Sequence, residues 1–586
     1  MANIWSEFRK TAKRKYSKQV WVPLGLSKLN QIGDYPGGGY LSEYEGAHTL
    51  VVPQSKREFG ENYSWSDNHE HTPWGNADFY KPADSYSHND RDIVGFRLAL
   101  RQTFPDRPDM WHLHQDFILA FGLAFERNSW VRPSEDYVEV ARHVLDAGGD
   151  VCGIEAKSEY LKDYLCARHS ALRISSFRSV DTIIADGEPS VGFEEGTEEN
   201  FEGGRLEFRA MQIDENGHPA GSGVAVFHMS RNDIDPDDDV PEIGPESDEN
   251  TAGKSWSFNR GDAAKTSLMG DFWRDEWLEP AKSSLRVRGD DVPSNVTFIV
   301  SADGERMSAD DLNFEDVGRW LWFKPAIIAS LLERRGAELN WYTRLTAGIS
   351  TPADTAIHFG INSIGLVNVY AFDIARLPEW ERQRWAGFNT TPDGKVSPEL
   401  LSSQVEAKPA STQSPEQFLP IVIDQLDNEW VKQFGERIFR KHDSFDEIVS
   451  KCHRFRTLEK RGIFALAKDI ARLTADLIDA KVAQKHISQE EAKGLGSLKS
   501  LEKAVATRCS GEFARRITGP LFATYELRLS DAHLPKSDIA DALGLLGIEE
   551  DDAPILAGEK MIHMVVASLD ACRRVIANEL EASPDS

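Results

Sequence analysis

The sequence predicts a multidomain α+β protein, with mixed α/β N-terminal and central regions followed by an all-α C-terminal helical bundle. Three features carry that expectation. At 586 residues the chain exceeds what one hydrophobic core usually serves. All 15 tryptophans lie at or before Trp430, and the 156 residues beyond it hold none. Before that point short β-like runs alternate with turns; after it apolar residues recur three or four apart, as in Phe464, Leu466, Ile470, Leu473 and Leu477.

Taken in order, residues 1–186 read as a mixed α/β module, with a glycine-rich stretch at Tyr35–Tyr40 and helical pieces around Asp116–Glu126 and Glu159–Arg168. An acidic linker is expected over 187–204. A central α+β domain then covers 205–388. In it, Leu206, Phe208 and Ala210, and then Val224, Val226 and Phe227, predict strands on either side of Asp214-Glu215-Asn216-Gly217, whose Asn-Gly is a hairpin signal. Residues 233–250 are too acidic to bury and predict a loop. Further strands are expected at Val296–Val300 and Ile364–Phe372, with a helix at Pro325–Arg335 between them. A linker rich in Pro, Ser and Thr follows over 389–413. Ser414-Pro415-Glu416-Gln417 then starts the helical domain, 414–586, with an N-cap serine, a proline at the first helical position and Gln417 in the capping-box place. Thr518-Gly519-Pro520 predicts a break, and Gly558–Leu580 the last helix of the bundle.

Composition narrows the function classes. Hydrophobic content of 40% and charged content of 28% are ordinary for a globular chain, and no apolar run approaches the roughly 18 residues of a bilayer span. Arg9, Lys10, Lys13, Arg14, Lys15 and Lys18 are followed by no apolar core, so a secretory leader is not expected. Five widely spaced cysteines match neither a disulfide framework nor a zinc pair, which implies a reducing, cytoplasmic setting. A net charge of −28 repels nucleic acid on average, but Val431–Ser530 carries 20 Lys and Arg against 13 Asp and Glu. Within this basic island Arg508, Arg515 and Arg516 are candidate RNA contacts.

The island leads into Arg528-Leu529-Ser530-Asp531-Ala532-His533. Arg528 is charged at every physiological pH, whereas His533 can exchange a proton near neutrality. An arginine, four residues and a histidine in a late helical region resemble the HEPN superfamily, whose defining motif is Arg, four to six residues, then His. The resemblance covers under a third of the chain. It implies a helical bundle that dimerises, bringing two motifs to one cleft. It also implies a metal-independent endoribonuclease of bacterial antiviral (anti-phage) defence that uses no cofactor. His533 would act as base on the ribose 2′-hydroxyl or acid on the leaving 5′-oxygen, and Arg528 would stabilise charge on the phosphate. Active members usually carry a polar residue after the arginine. Leu529 stands there in this chain, so Ser530 and Asp531 are the supporting polar candidates. Leu161–Arg168 and Trp320–Pro325 resemble stretches of other large bacterial proteins, a likeness that carries no activity. The regions before the bundle are expected to sense a trigger, phage-derived or nucleic acid, or to restrain the effector. The partners expected are RNA and a second copy of the chain, with no membrane.

Two other constellations compete. Asp150, Glu155 and Lys157 faintly resemble the PD-(D/E)xK nuclease core, in which carboxylates hold Mg²⁺ and the lysine helps activate water. The pairs His69 and His71, and His112 and His114, could each present two imidazoles to a metal from one strand face. Neither a glycine-rich phosphate loop nor a Gly-x-Ser-x-Gly elbow occurs. A non-catalytic scaffold whose bundle only dimerises or holds RNA is the remaining alternative.

Overall fold

Alternation of buried and open residues along a few long strands organises the first half of the chain, and continuous helical stripes organise its end. The computed structural model describes residues 2–580 except 12–13, 68–72, 89–91, 186–195, 222, 232–250, 260, 315–317, 352–355, 409 and 534–535. The chain divides into two compact units, Met1–Val292 and Pro293–Ser586.

The first unit is built on a large antiparallel sheet. Its main path uses β1 (Trp21–Ile32), β2 (Leu41–Pro53), β3 (Ala124–Glu126), β4 (Ser129–Arg132), β5 (Val138–Leu145), β6 (Val151–Lys157), β7 (Ser170–Ala185), β8 (Glu198–Phe201), β9 (Gly204–Ile213) and β10 (Lys265–Leu278). Their spatial order is β8-β9-β10-β7-β2-β1-β6-β5-β4-β3. From Leu268 to Leu278 every second residue of β10 is buried, as the two-residue period of a strand requires. The helix α1 (Ala2–Thr11) packs Trp5 and Phe8 against Val180, Phe208, Leu268 and Phe272 at one end of that face. Gly270 permits this approach, since a Cβ there would lie 2.7 Å from the Trp5 ring. At the other end α2 (Ser158–Ala167) buries Tyr160, Leu161, Tyr164 and Leu165 with Leu172, Ile174 and Leu278.

The boundary expected at 187–204 is not where the chain divides. Glu198–Phe201 is a strand paired with β9, and β9 pairs with β10 from Gly204↔Arg274 to Ile213↔Lys265. The Asp214–Gly217 turn forms, with Asp214 accepting from the backbone N–H of Asn216 and His218, but it does not join a hairpin of the two expected strands. Gly223–Arg231 pairs instead with Thr251–Asn259 as a separate ribbon. The loop expected at 233–250 lies outside the described residues.

The second unit joins a six-stranded antiparallel sheet to the helical region. Its strands are β11 (Trp320–Phe323), β12 (Glu338–Trp341), β13 (Thr346–Ser350), β14 (Ala356–Ile361), β15 (Val367–Tyr370) and β16 (Asn389–Thr390), in the order β12-β13-β14-β15-β11-β16. The helical region uses α3 (Pro415–Phe434), α4 (Gly462–Leu473), α5 (Ser497–Val505), α6 (Gly511–His533), α7 (Lys536–Leu545) and α8 (Pro554–Ile576). The stretch expected as a bare linker carries β16 and a helix, Pro398–Val405, with Leu400 fully buried. Ser414 caps α3 as expected, but Gln417 does not complete a capping box: its amide donates to Trp341 O at 2.7 Å. Nor does Thr518-Gly519-Pro520 break α6. Thr518 and Thr524 donate to the carbonyls of Ala514 and Pro520, and burial of Leu521, Ala523 and Leu527 outweighs the hydrogen bond that Pro520 cannot make.

Sheet and helices are tied by a buried ion pair. Arg454, fully buried, donates through Nε and Nη2 to Glu416 at 2.6 and 2.8 Å, and its guanidinium lies 4.2 Å over the Trp341 ring. Burial alone would raise the Glu416 carboxyl; the Arg454 charge and hydrogen bonds, with Ser414, overcome it and hold the group below its ordinary value. A carboxyl lowered in the fold stabilises it above its unfolded pKa, and that contribution fades as pH falls through the folded value. Arg454→Met should therefore cost about 3–5 kcal/mol in urea unfolding of the full chain at neutral pH, because it strands a buried carboxylate. The loss should shrink on acidification, as Glu416 takes up a proton. An unchanged midpoint would remove the pair from this role.

Candidate functional site

The helix α6 positions the arginine of the Arg-x4-His stretch. Ala514, Leu521, Ala523 and Leu527 sink into the helical core, which leaves Arg515, Arg516, Glu526 and Leu529 exposed. Arg528 stands at the edge of that buried stripe with its side chain 28% exposed. Its Nη1 donates to Asp476 Oδ1 at 2.5 Å, and its guanidinium sits 5.5 Å from the Tyr525 ring centre. Asp476 follows α4 and meets a second cation as well: Arg440 Nη2 donates to its backbone carbonyl at 2.6 Å. Two guanidiniums thus converge on one aspartate. Among the described residues Arg528 makes no other hydrogen bond, so Nε and Nη2 keep donors to offer an incoming anion.

The helix backbone continues to His533, while the side chains of Ser530, Asp531 and His533 lie outside the described residues. Arg515 and Arg516 are exposed on the same helix, with Arg515 Nε 3.9 Å from Glu502 and Arg516 over the Phe513 ring. Arg516 precedes Arg528 by about 18 Å of helix at 1.5 Å per residue. Arg508 lies apart from that row, donating to Asn578 at 3.2 Å and stacking 5.5 Å from Phe434. Sequence reading missed Asp476 and Arg440. They are remote in the chain from Arg528, and no local spacing announces a partner brought in by the loop after α4.

The competing constellations come apart. Glu155 is paired with Arg142 at 2.6 Å, and Arg142 and Lys157 both face the Trp21 ring, at 4.0 and 5.6 Å. This is a row of ion-pair and cation–π contacts along the sheet. Asp150 sits in the turn before β6, about 17 Å from Glu155 along an extended strand. His114 caps a helix instead of waiting for a metal. Its Nδ1 accepts from Asp116 N, so Nε2 carries the proton and donates to Asp84 at 2.8 Å. His112 is exposed on the preceding strand, and His69 and His71 lie outside the described residues. Among the described residues no group of three or more His, Cys, Asp or Glu is placed to hold a metal ion. All five cysteines are unpaired, and no described helix is long and apolar enough to cross a membrane.

Asp476 competes with any phosphate for Arg528. Asp476→Asn should tighten binding of a short single-stranded RNA by a few-fold at low salt, the scale of a surface ion pair. The gain should vanish as salt rises, because exposed charges are screened. Unchanged affinity in a fluorescence-anisotropy titration would show that Arg528 does not meet the RNA. The chain matches no protein-family model, no curated protein and no solved structure, so the reading of this site rests on its own chemistry.

Proposed function

We propose that the helical region binds RNA and cuts it without a metal, as an endoribonuclease effector of bacterial antiviral defence, with two chains joined through that region. The observation that carries this reading is the open guanidinium edge of Arg528, held on an aspartate that Arg440 also reaches, at the arginine of an Arg-x4-His stretch. In this scheme Arg528 receives the non-bridging oxygens of the scissile phosphate, where a fixed cation is worth most as negative charge grows. His533 takes the proton of the ribose 2′-hydroxyl. The 2′-oxygen then bonds to phosphorus as the bond to the 5′-oxygen breaks, and that oxygen takes a proton from water, whose hydroxide is neutralised by the proton His533 holds. Five residues along an α-helix add about 140° to a full turn, so positions 528 and 533 of one chain occupy different faces. A cleft shared by two chains meets that constraint. Arg515 and Arg516, further back on α6, extend the positive track for the strand. The N-terminal and central regions, residues 1–388, would sense the trigger or restrain the nuclease.

Leu529 favours a second reading. It is 51% exposed next to Arg528, where an apolar side chain suits contact with another copy better than phosphate chemistry. On that reading the region dimerises or holds RNA and does not cut it.

RNA cleavage by the full chain should proceed undiminished in EDTA and fall at least about 100-fold in His533→Ala and in Arg528→Ala, the scale expected of a positioned acid–base group. Arg528→Lys should not restore it, since a point charge does not reproduce the guanidinium fork. Cleavage abolished by EDTA, or equal in His533→Ala, overturns the proposal. Intact dimers that bind RNA and leave it uncut would establish the second reading.

A further inference from the structure

The buried face of β10 carries two charged residues where its alternation calls for apolar ones. Leu268, Phe272 and Leu278 belong to hydrophobic clusters at the two ends of this face, and Arg274 and Glu276 lie between them, 4% and 8% exposed. The paired strand repeats the arrangement: Ser176, opposite Arg274, and Arg178, opposite Phe272, separate Leu172 and Ile174 from Val180 and Ile184. A polar belt thus crosses the sheet between the α1 and α2 clusters, and at its β10 end, where Arg274 and Glu276 stand, opens a cavity of 480 Å³. A smaller one of 270 Å³ shares Lys15, Glu202 and Arg274 with it.

The two charges of the belt are satisfied unequally. Glu276 accepts from Tyr16 N at 2.8 Å, from Ser17 N at 3.1 Å and from the Ser17 hydroxyl. Arg274 lies 4.9 Å over Phe201 and 5.7 Å over Phe272, but its Nε and Nη1 donate to nothing among the described residues. Burial pushes its pKa down against the raising pull of the Glu276 and Glu202 charges, the mark of a guanidinium short of water. The rest of the lining is unequal in the same direction. Glu279 is held by both Nη atoms of Arg57, Glu202 by Lys15 at 3.1 Å, and Asp275 lies 3.9 Å from Arg173. Lys18 and Lys162 line the cavity with no ion pair among the described residues. Among the described residues each acid of the cavity has a donor or a cation beside it, while Arg274 Nε and Nη1, Lys18 and Lys162 lack acceptors.

We infer that this cavity is a binding site for a small phosphate monoester, whose phosphate is received by Arg274, Lys18 and Lys162. A forked guanidinium and two ammonium groups suit a doubly charged phosphate better than a single carboxylate. The volume falls in the range of small-molecule sites and exceeds what a bare phosphate fills, leaving room for an organic body. Such a ligand would place acceptors where the fold has left two nitrogens of a buried guanidinium without one. The inference stands apart from the RNA-cleavage reading, because neither Arg528 nor His533 enters it.

Calorimetric titration of the full chain with AMP, inorganic phosphate, adenosine and acetate tests it. AMP should bind with one site per chain, and adenosine and acetate should not bind. Inorganic phosphate competing with AMP would mark the phosphate as sufficient, and AMP binding without such competition would mark the organic body as required. Arg274→Met should weaken AMP at least about tenfold, as loss of a charge-assisted hydrogen bond does. The double variant Lys18→Ala, Lys162→Ala should weaken it by a similar factor and carries the test should Arg274→Met not fold. Absence of binding by both AMP and phosphate at millimolar concentration, binding of acetate as tight as that of phosphate, or unchanged AMP affinity in the double variant overturns the inference.

Discussion

A charge taken out of water must find its counter-charge inside the protein, and the second unit holds one place where two buried charges find each other. Arg454 and Glu416 meet with no solvent between them, the guanidinium roofed by Trp341 of the sheet and the carboxylate anchored by Ser414 at the start of α3. The pair therefore specifies a register among three segments far apart in sequence. Glu559 of α8 makes a second, parallel connection, taking both Nε and Nη2 of Arg344 at 3.0 Å. Close approach supports both: a Cβ on Gly558 would come within 2.4 Å of Thr457, beside Arg454. Apolar packing supplies most of the driving force, while these pairs select which packing is allowed.

The same constraint is met differently elsewhere in the chain. Asp163, 4% exposed, takes hydrogen bonds from Ser284 and from Arg286 N, and His48 is held by Tyr63 at 2.6 Å. These are closed arrangements with their polar atoms answered. Arg528 is partly answered, by one oxygen of Asp476 through one nitrogen. Arg274 goes furthest: its Nε and Nη1 both lack an acceptor among the described residues, whereas buried Arg454 lacks one only at Nη1. Unanswered charge costs folding free energy, so positions that retain it are where an external ligand can be recognised.

Local rules of the sequence reached the fold class and several element boundaries. Ser158–Ala167 nearly coincides with the helix read from periodicity, and Ser414 caps α3 through its own side chain because N-cap chemistry is decided within four residues. Gly217 takes φ +85 in the Asp-Glu-Asn-Gly turn for the same local reason. What failed was the assignment of partners. The Asn-Gly turn is real, yet β9 bonds to β10, some fifty residues on, because hydrogen-bonding edges are alike and burial decides between them. Pro520 reads as a helix breaker and stands inside α6, where the side chains around it are buried on the helical core.

By itself, then, the sequence determined that the chain is mixed α and β before Trp430 and helical after it, and that a basic island leads into an Arg-x4-His stretch. Those are properties of composition and spacing, carried by every residue regardless of its neighbours in space. Only the tertiary structure decided that the units divide at Val292, that Glu155 answers Arg142, that Arg528 is met by Asp476, and that two nitrogens of Arg274 find no acceptor among the described residues. Each of those depends on which distant groups share a low-dielectric interior. The energy of a charge is set by its surroundings, and no linear pattern of residue types records them.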